Sequence, residues 1–210
     1  MHTPKTKNLL LIFTRNPELG KVKSRLAADI GQQNALDIYI FLVNYTQKVT
    51  QQLNVDKQVW YSESLGKNDM WDSNDYSKKL QPNTPDLGER MEYAFNEGFK
   101  NGYQHIIIIG SDLYDITQQD IEVAFDKLQQ NNAVIGPATD GGFYLLGLSQ
   151  PIPSIFKNKN WGTNTVLNDT LNNLKSYSFE QLTPKNDVDY LDDIKEVAAF
   201  KPFIKYVTND

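Results

Sequence analysis

The chain has 210 residues, 40% of them hydrophobic and 22% charged, which suits one soluble globular domain, 1–210. Its 21 Lys and Arg against 26 Asp and Glu leave a net charge of −5, which argues against non-specific binding to nucleic acid. It has no cysteine, so disulfides, thiolate zinc sites and cysteine nucleophiles are excluded and a cytoplasmic location is expected; no apolar run approaches the ~20 residues of a membrane span, and the polar N-terminus lacks a signal-peptide core.

Leu9–Phe13, LLLIF, is a continuous apolar run and predicts a strand covered on both faces. It enters a loop punctuated by Pro17 and Gly20, in which Lys21, Lys23 and Arg25 alternate and Arg15 lies upstream. A strand, a glycine-containing loop and a cationic turn can cradle a phosphate with backbone N–H groups and basic heads. The loop is neither GxxxxGK[ST] nor GxGxxG. A solvated basic loop feeding an amphipathic helix over Ala35–Leu53 accounts for the composition equally well.

Lys57–Ser62 predicts a second strand, and Leu65–Tyr76 a solvated loop. Asp69, Asp72 and Asp75 in that loop do not have EF-hand spacing. Asp86–Met91 opens a helix that runs through Phe99, with Met91, Ala94, Phe95 and Gly98 on one face. Asp86 suits the cap and Gly88 a close backbone approach, while Arg90 reads either as a ligand contact or as a surface ion pair.

The rest of the chain is organised around His105–Asp115, HIIIIGSDLYD. Four isoleucines predict a buried parallel strand that stops at Gly110 and delivers Ser111, Asp112 and Asp115 to its carboxyl end, where open α/β sheets bind ligands. Asp115 also suits the cap of a helix over Thr117–Gln129. Ala133–Ile135 and Phe143–Leu148 predict a strand and a returning strand, joined through Asp140, Gly141 and Gly142, which read as a hairpin turn as readily as a ligand loop. Thr163 suits the cap of a helix over Val166–Leu174, with Trp161 as a core anchor. Asn186–Ile194 ends the series with Asp187, Asp189, Asp192 and Asp193, the last two suited to a helix's first turn. Strand and helix alternate throughout, which predicts an α/β sandwich with a mostly parallel sheet.

Five separated segments, in order, resemble one family. TRNPELGKVKSRLA, DLGERM, GSDLYD, GPATDGGFYLLGL with WGTNTVL, and DVDYLDDI are similar to the signatures of nucleotide-diphospho-sugar transferase-like proteins with the GT-A fold. They resemble more closely the bacterial glycosyltransferase-like group described as arsenosugar-biosynthesis glycosyltransferases. Molybdenum-cofactor and phospholactate guanylyltransferases share the basic loop. The resemblance implies a three-layer α/β/α sandwich of GT-A type. It implies that Arg15, Gly20, Lys23, Arg25, Asp86, Gly88 and Arg90 bind nucleotide and phosphates, and that Asp140, Gly141 and Gly142 meet the sugar, with Asp112 and Asp140 catalytic. It also implies that Asp112 pairs with Asp189, or with Asp187 as the substitute, around a Mg²⁺ or Mn²⁺ ion that neutralises a diphosphate. Tyr114 stands where proline is usual, which would set a bulky ring near Asp112 and remove a rigid turn.

The activity so implied is metal-dependent transfer of a sugar from a nucleotide-diphosphate sugar to a small-molecule acceptor. Nucleotidyl transfer with release of pyrophosphate uses the same loop and acids, and a catalytically silent nucleotide- or sugar-binding protein is the reading that Tyr114 motivates. A homodimer stays open.

Overall fold

A computed structural model describes residues 7–205; residues 1–6, with most of the polar N-terminus, and 206–210 lie outside the described residues. The two apolar runs form the sheet's centre. Strand β1 (Asn8–Thr14) pairs in parallel with β4 (His105–Gly110) on one side and with β2 (Asp56–Tyr61) on the other. Strand β3 (Tyr76–Leu80) continues that side in parallel. Beyond β4 come β6 (Phe143–Leu148), antiparallel to both neighbours, then β5 (Ala133–Pro137) and β7 (Phe179–Gln181). The seven-stranded order is β3-β2-β1-β4-β6-β5-β7.

Side chains alternate across a strand, and here both sets are covered. Leu10, Ile12, Ile107 and Ile109 pack against Tyr39 and Val43 of helix α2 (Gln32–Gln51) and Ile121 and Phe125 of α4 (Gln118–Leu128). Leu9, Leu11, Ile106 and Ile108 pack against Met91 and Phe95 of α3 (Leu87–Lys100) and Leu174 of α5 (Val166–Leu174). The isoleucines of β4 are buried almost completely, each stabilising the fold by about 1.5–3 kcal/mol relative to exposure. Gly98 lets α3 lie close to the sheet, since a Cβ there would sit 2.5 Å from Ile106 Cδ1. A third cluster joins α1 (Ser24–Ile30), the outer face of α2, and the C-terminal turns α6 (Leu191–Ile194) and α7 (Lys201–Ile204) through Leu26, Ile38, Leu42, Ile194 and Ile204. The result is the expected three-layer α/β/α sandwich.

Several local expectations change. Helix α2 begins at Gln32, directly after Gly31, rather than at Ala35. Helix α4 is capped by Thr117 through a reciprocal hydrogen-bond pair with Asp120, not by Asp115, whose carboxylate accepts from Asn186 N–H at 3.2 Å. Thr163 is not the cap of α5: its hydroxyl donates to Asn160 O at 2.8 Å, and Thr165 occupies the cap position without a side-chain capping bond. The Asp69 loop holds itself together, with Asp69 accepting from Lys78 Nζ at 2.6 Å and from Tyr61 Oη.

Candidate functional site

The carboxyl ends of β1 and β4 lie side by side, and a buried polar network ties them together. Ser111 Oγ donates to Thr14 Oγ1 at 2.9 Å, and Tyr39 Oη, on α2, accepts from Arg15 N–H at 2.9 Å and donates to Arg15 O at 3.0 Å. This network orients the two chain segments that leave the sheet here, one carrying the basic loop and the other Asp112. Burial, and then the charge of Asp112, push the Tyr39 hydroxyl above its ordinary range.

The basic loop turns back over the strand ends. Gly20 adopts φ +77°, and Lys23 adopts the left-handed conformation at φ +46° and ψ +47° just before α1 begins. That turn buries the Lys23 side chain to 6% exposure and aims its ammonium at two carboxylates: Asp112 Oδ2 at 2.8 Å and Asp189 Oδ1 at 3.3 Å. Arg25 NH1 holds the other oxygen of Asp189 at 3.0 Å and lies 5.7 Å from the Tyr190 ring centre. Burial opposes the charge on Lys23, yet Asp112 and Asp189 outweigh it and hold the ammonium above its usual range. Burial likewise opposes the charge on Asp112, and Lys23 with Arg15 outweighs it, so that carboxyl sits below the ordinary carboxylate range.

Asp187 is the exception in this cluster. Burial, reinforced by Asp140 and Asp112, pushes its carboxyl up to about 7. The acids therefore crowd one another. Carboxylate oxygens are the donors that Mg²⁺ and Mn²⁺ prefer, so the donor chemistry of Asp112, Asp187 and Asp189 fits such an ion. Among the described residues, however, no group of three or more acids or histidines already converges in a metal-holding arrangement. Asp112 and Asp189, expected to share a divalent ion, each form a salt bridge to Lys23, whose ammonium stands between them.

Two cavities adjoin this cluster and share Phe13 and Leu87 as a wall. The first, about 430 Å³, is polar, and Arg15, Asn16, Lys21, Arg90 and Asp112 line it. The second, about 240 Å³, is mostly apolar and lies between α3 and α5, with Asp140 and Gly142 in its lining. Asp140 Oδ1 accepts from Gly142 N–H at 2.8 Å. Gly141 has φ +93°, and its carbonyl accepts from Leu167 N–H at 2.9 Å, so the Asp140 turn is bound to the segment that opens α5.

The remaining expected contacts divide. Arg90 lines the polar cavity and also braces its edge, Nε donating to Thr84 O at 2.6 Å. Asp86 caps α3 by accepting from Glu89 N–H at 3.0 Å. Gly88 is packed under Phe156 O and the Trp161 ring, where a Cβ would collide. Asp86 and Gly88 thus sit behind the wall, and neither they nor Gly20, Gly141, Lys23, Arg25, Asp187 and Asp189 line either cavity. The Tyr114 ring does not crowd Asp112. It turns away into the third cluster, with ring centres 4.8 Å from Tyr45 and 5.0 Å from Phe200.

Tyr39 and Asn16 also belong to the site, and neither carries a mark in the sequence. Asn16 Nδ2 donates to Ser64 O at 2.8 Å and its Oδ1 accepts from Glu63 N–H at 3.1 Å, which pins the loop after β2 to the basic loop. Tyr39 looks in sequence like any core position of α2; only its distance from Ser111 marks it. Asn16, between Arg15 and Pro17, was inside the motif but is polar and uncharged, so nothing singled it out.

The fold is shared with solved structures. A protein from Desulfovibrio desulfuricans G20 described as a "putative nucleotide-diphospho-sugar transferase" superposes with a TM-score of 0.82 at 29% identity, over 93% of this chain and 90% of that one. The inositol-1-phosphate CTP transferase of T. maritima superposes with a TM-score of 0.56 at 9% identity, over 99% and 98%. Rv0371c of Mycobacterium tuberculosis H37Rv, in complex with manganese, superposes with a TM-score of 0.55 at 10% identity, over 92% and 99%. The likeness to nucleotide-diphospho-sugar transferase-like proteins that the motifs carry therefore holds in three dimensions. The sequence matches none of the curated proteins. Residues 45–163 match the family described as "Uncharacterized protein conserved in bacteria (DUF2064)", a span of more than half the chain, and the chain belongs to that family.

Proposed function

We propose that the chain is a metal-dependent transferase that moves a sugar from a nucleotide-diphosphate sugar to a small acceptor. The observation that carries this reading is the pair of adjoining cavities, one basic and polar with Asp112 in its lining, the other apolar with Asp140 in its lining. A two-substrate transfer needs two subsites with charge control where they meet. Arg15 and Lys21 would hold the phosphates in the polar cavity, as cations hold phosphate oxygens elsewhere. Lys23 supplies a buried positive charge beside Asp112. A divalent ion held by Asp112 with Asp189 or Asp187 would neutralise the departing diphosphate. The Oδ2 of Asp140, which makes no hydrogen bond among the described residues, is free to accept one from a hydroxyl of the sugar or acceptor.

Nucleotidyl transfer has one observation in its favour: Lys23 already stands between the two acids, where a triphosphate would need positive charge. Product analysis separates the two. Incubation with nucleotide sugars, and separately with nucleoside triphosphates, in Mg²⁺ or Mn²⁺ is expected to release nucleoside diphosphate in the first set. Pyrophosphate from the second set, with none of the first product, would assign nucleotidyl transfer instead. Asp112→Asn is expected to lower turnover about a hundredfold or more, because a lost carboxylate weakens several kcal/mol of charge stabilisation. The silent-binding reading loses its motive, since Tyr114 lies outside the site.

A further inference from the structure

We infer that the acceptor carries an apolar body, a ring or branched chain, that seats in the cavity between α3 and α5 and presents a hydroxyl to Asp140. The inference rests on the two-substrate reading above and names the class of its second substrate. The cavity's 240 Å³ exceeds the roughly 150 Å³ of an apolar cavity known to take up benzene, so a substituted ring fits. Met91, Ile108, Phe143, Trp161 and Val166 form its walls. Most polar side-chain atoms around it are already engaged, but Trp161 Nε1 is buried without a hydrogen-bond partner among the described residues. Tyr144 Oη donates to Thr183 O at 3.2 Å, Thr163 Oγ1 donates to Asn160 O at 2.8 Å, and Asp140 Oδ1 accepts from Gly142 N–H.

Asp140 Oδ2, an acceptor, and the Trp161 Nε1–H, a donor, therefore remain for a ligand. A hexose has several hydroxyls, more than these two atoms can satisfy, and the others would lose their water partners on entering. An apolar body gains by leaving water, and Asp140 Oδ2 suffices for one hydroxyl. Asp140 stands at the solvent side of this cavity, exposed, and the wall of Phe13 and Leu87 borders the polar cavity where the diphosphate would sit. An acceptor with its body buried thus presents its hydroxyl at the open side of the cavity. In the transfer, the acceptor oxygen forms a bond to the sugar's anomeric carbon, that carbon's bond to the diphosphate oxygen breaks, and the nucleoside diphosphate leaves with the electron pair. The hydroxyl proton passes to solvent by way of Asp140.

The test uses the full chain, with benzyl alcohol as the apolar probe and glucose as a polyol of similar size, each followed by saturation-transfer NMR. Benzyl alcohol is expected to bind and glucose not to. Val166→Phe fills the cavity from inside, and Thr163→Trp fills it from an exposed position at its edge, where folding is not at stake. Each is expected to weaken benzyl alcohol binding about tenfold or more. The inference is overturned if glucose binds as well as benzyl alcohol, if neither binds, or if neither variant weakens binding. Nucleotide-induced shifts in melting temperature are measured on the same samples. A nucleotide shift with glucose in the cavity overturns the apolar acceptor alone. Benzyl alcohol binding without any nucleotide shift overturns the two-substrate reading, and the acceptor role with it.

Discussion

Lys23 holds a backbone conformation that side chains other than glycine seldom adopt. Such strain persists where the surroundings over-determine it, and it gathers at functional sites. Here the surroundings are Asp112 and Asp189, which are 45% and 34% exposed against 6% for the lysine. Lys23→Met would leave two carboxylates facing each other. Breaking a fully buried pair costs about 3–5 kcal/mol, and water screening of the half-exposed acids reduces the expectation here to about 1–2 kcal/mol. Urea unfolding reads it directly. Lys23→Ala should weaken binding of di- and triphosphates more than that of the nucleoside, and equal losses in titration would remove Lys23 from the phosphate subsite. Asp187 makes stability depend on pH with a definite sign. Its folded carboxyl is pushed up to about 7 from an ordinary 3.8. Between those values the folded state binds more protons than the unfolded chain, so this group's effect is a loss of stability as pH rises, at most about 1.4 kcal/mol per pH unit. Asp112, held low, acts in the opposite sense: its contribution is present above the ordinary carboxylate range and is lost as pH falls through its lowered value. Asp187→Asn is therefore expected to flatten the stability profile between about pH 5 and 7. A slope equal to the parent's would show that Asp187 is not raised.

At the scale of elements, the long apolar strands were legible and the short polar ones were not. LLLIF and HIIIIG announce themselves because both of their faces must be covered. Strand β3, YSKKL, is exposed at most of its positions, and β7 has three residues. An edge strand is recruited by its neighbour's free backbone groups, and that neighbour is known only once the sheet is assembled. Helix α1 was hidden for a related reason, since it starts from the left-handed Lys23 that the acids hold in place. The Asp140–Gly142 turn belongs to this scale as well. A Cβ on Gly141 would lie 2.4 Å from Asn164 O, and φ there is +93°. Gly141→Ala should separate the turn from the segment that opens α5, at a cost of about 1–3 kcal/mol. A lowered melting temperature, together with weakened benzyl alcohol binding, would register both halves of that effect. An unchanged melting temperature would mean the two segments are not held together at this point.

For the whole molecule, the prediction is one of mass action. A nucleotide sugar that binds only the folded state at a hundred times its dissociation constant should stabilise it by about 2.7 kcal/mol. In a chain of this size that raises the melting temperature by several degrees, and more in the presence of Mg²⁺ or Mn²⁺ if the acids hold an ion. A shift that ignores the metal would remove the ion from the site. By itself the sequence determined the alternation of covered strands and helices, and hence the layered sheet, because apolar periodicity is a local consequence of which faces must leave water. It also supplied the acids and bases at strand ends, in an order that marks the family. Only the tertiary structure decided how they combine. Lys23 and Asp189 are 166 positions apart, and whether acids so separated meet an ion, each other or a lysine depends on how the basic loop folds over the strand ends. The same holds for Tyr114: its neighbours in sequence place it beside Asp112, but burial against Tyr45 and Phe200 draws its ring to the other side of the chain. Charge and packing at that range act through space, and the distances exist only once the sheet has closed its layers.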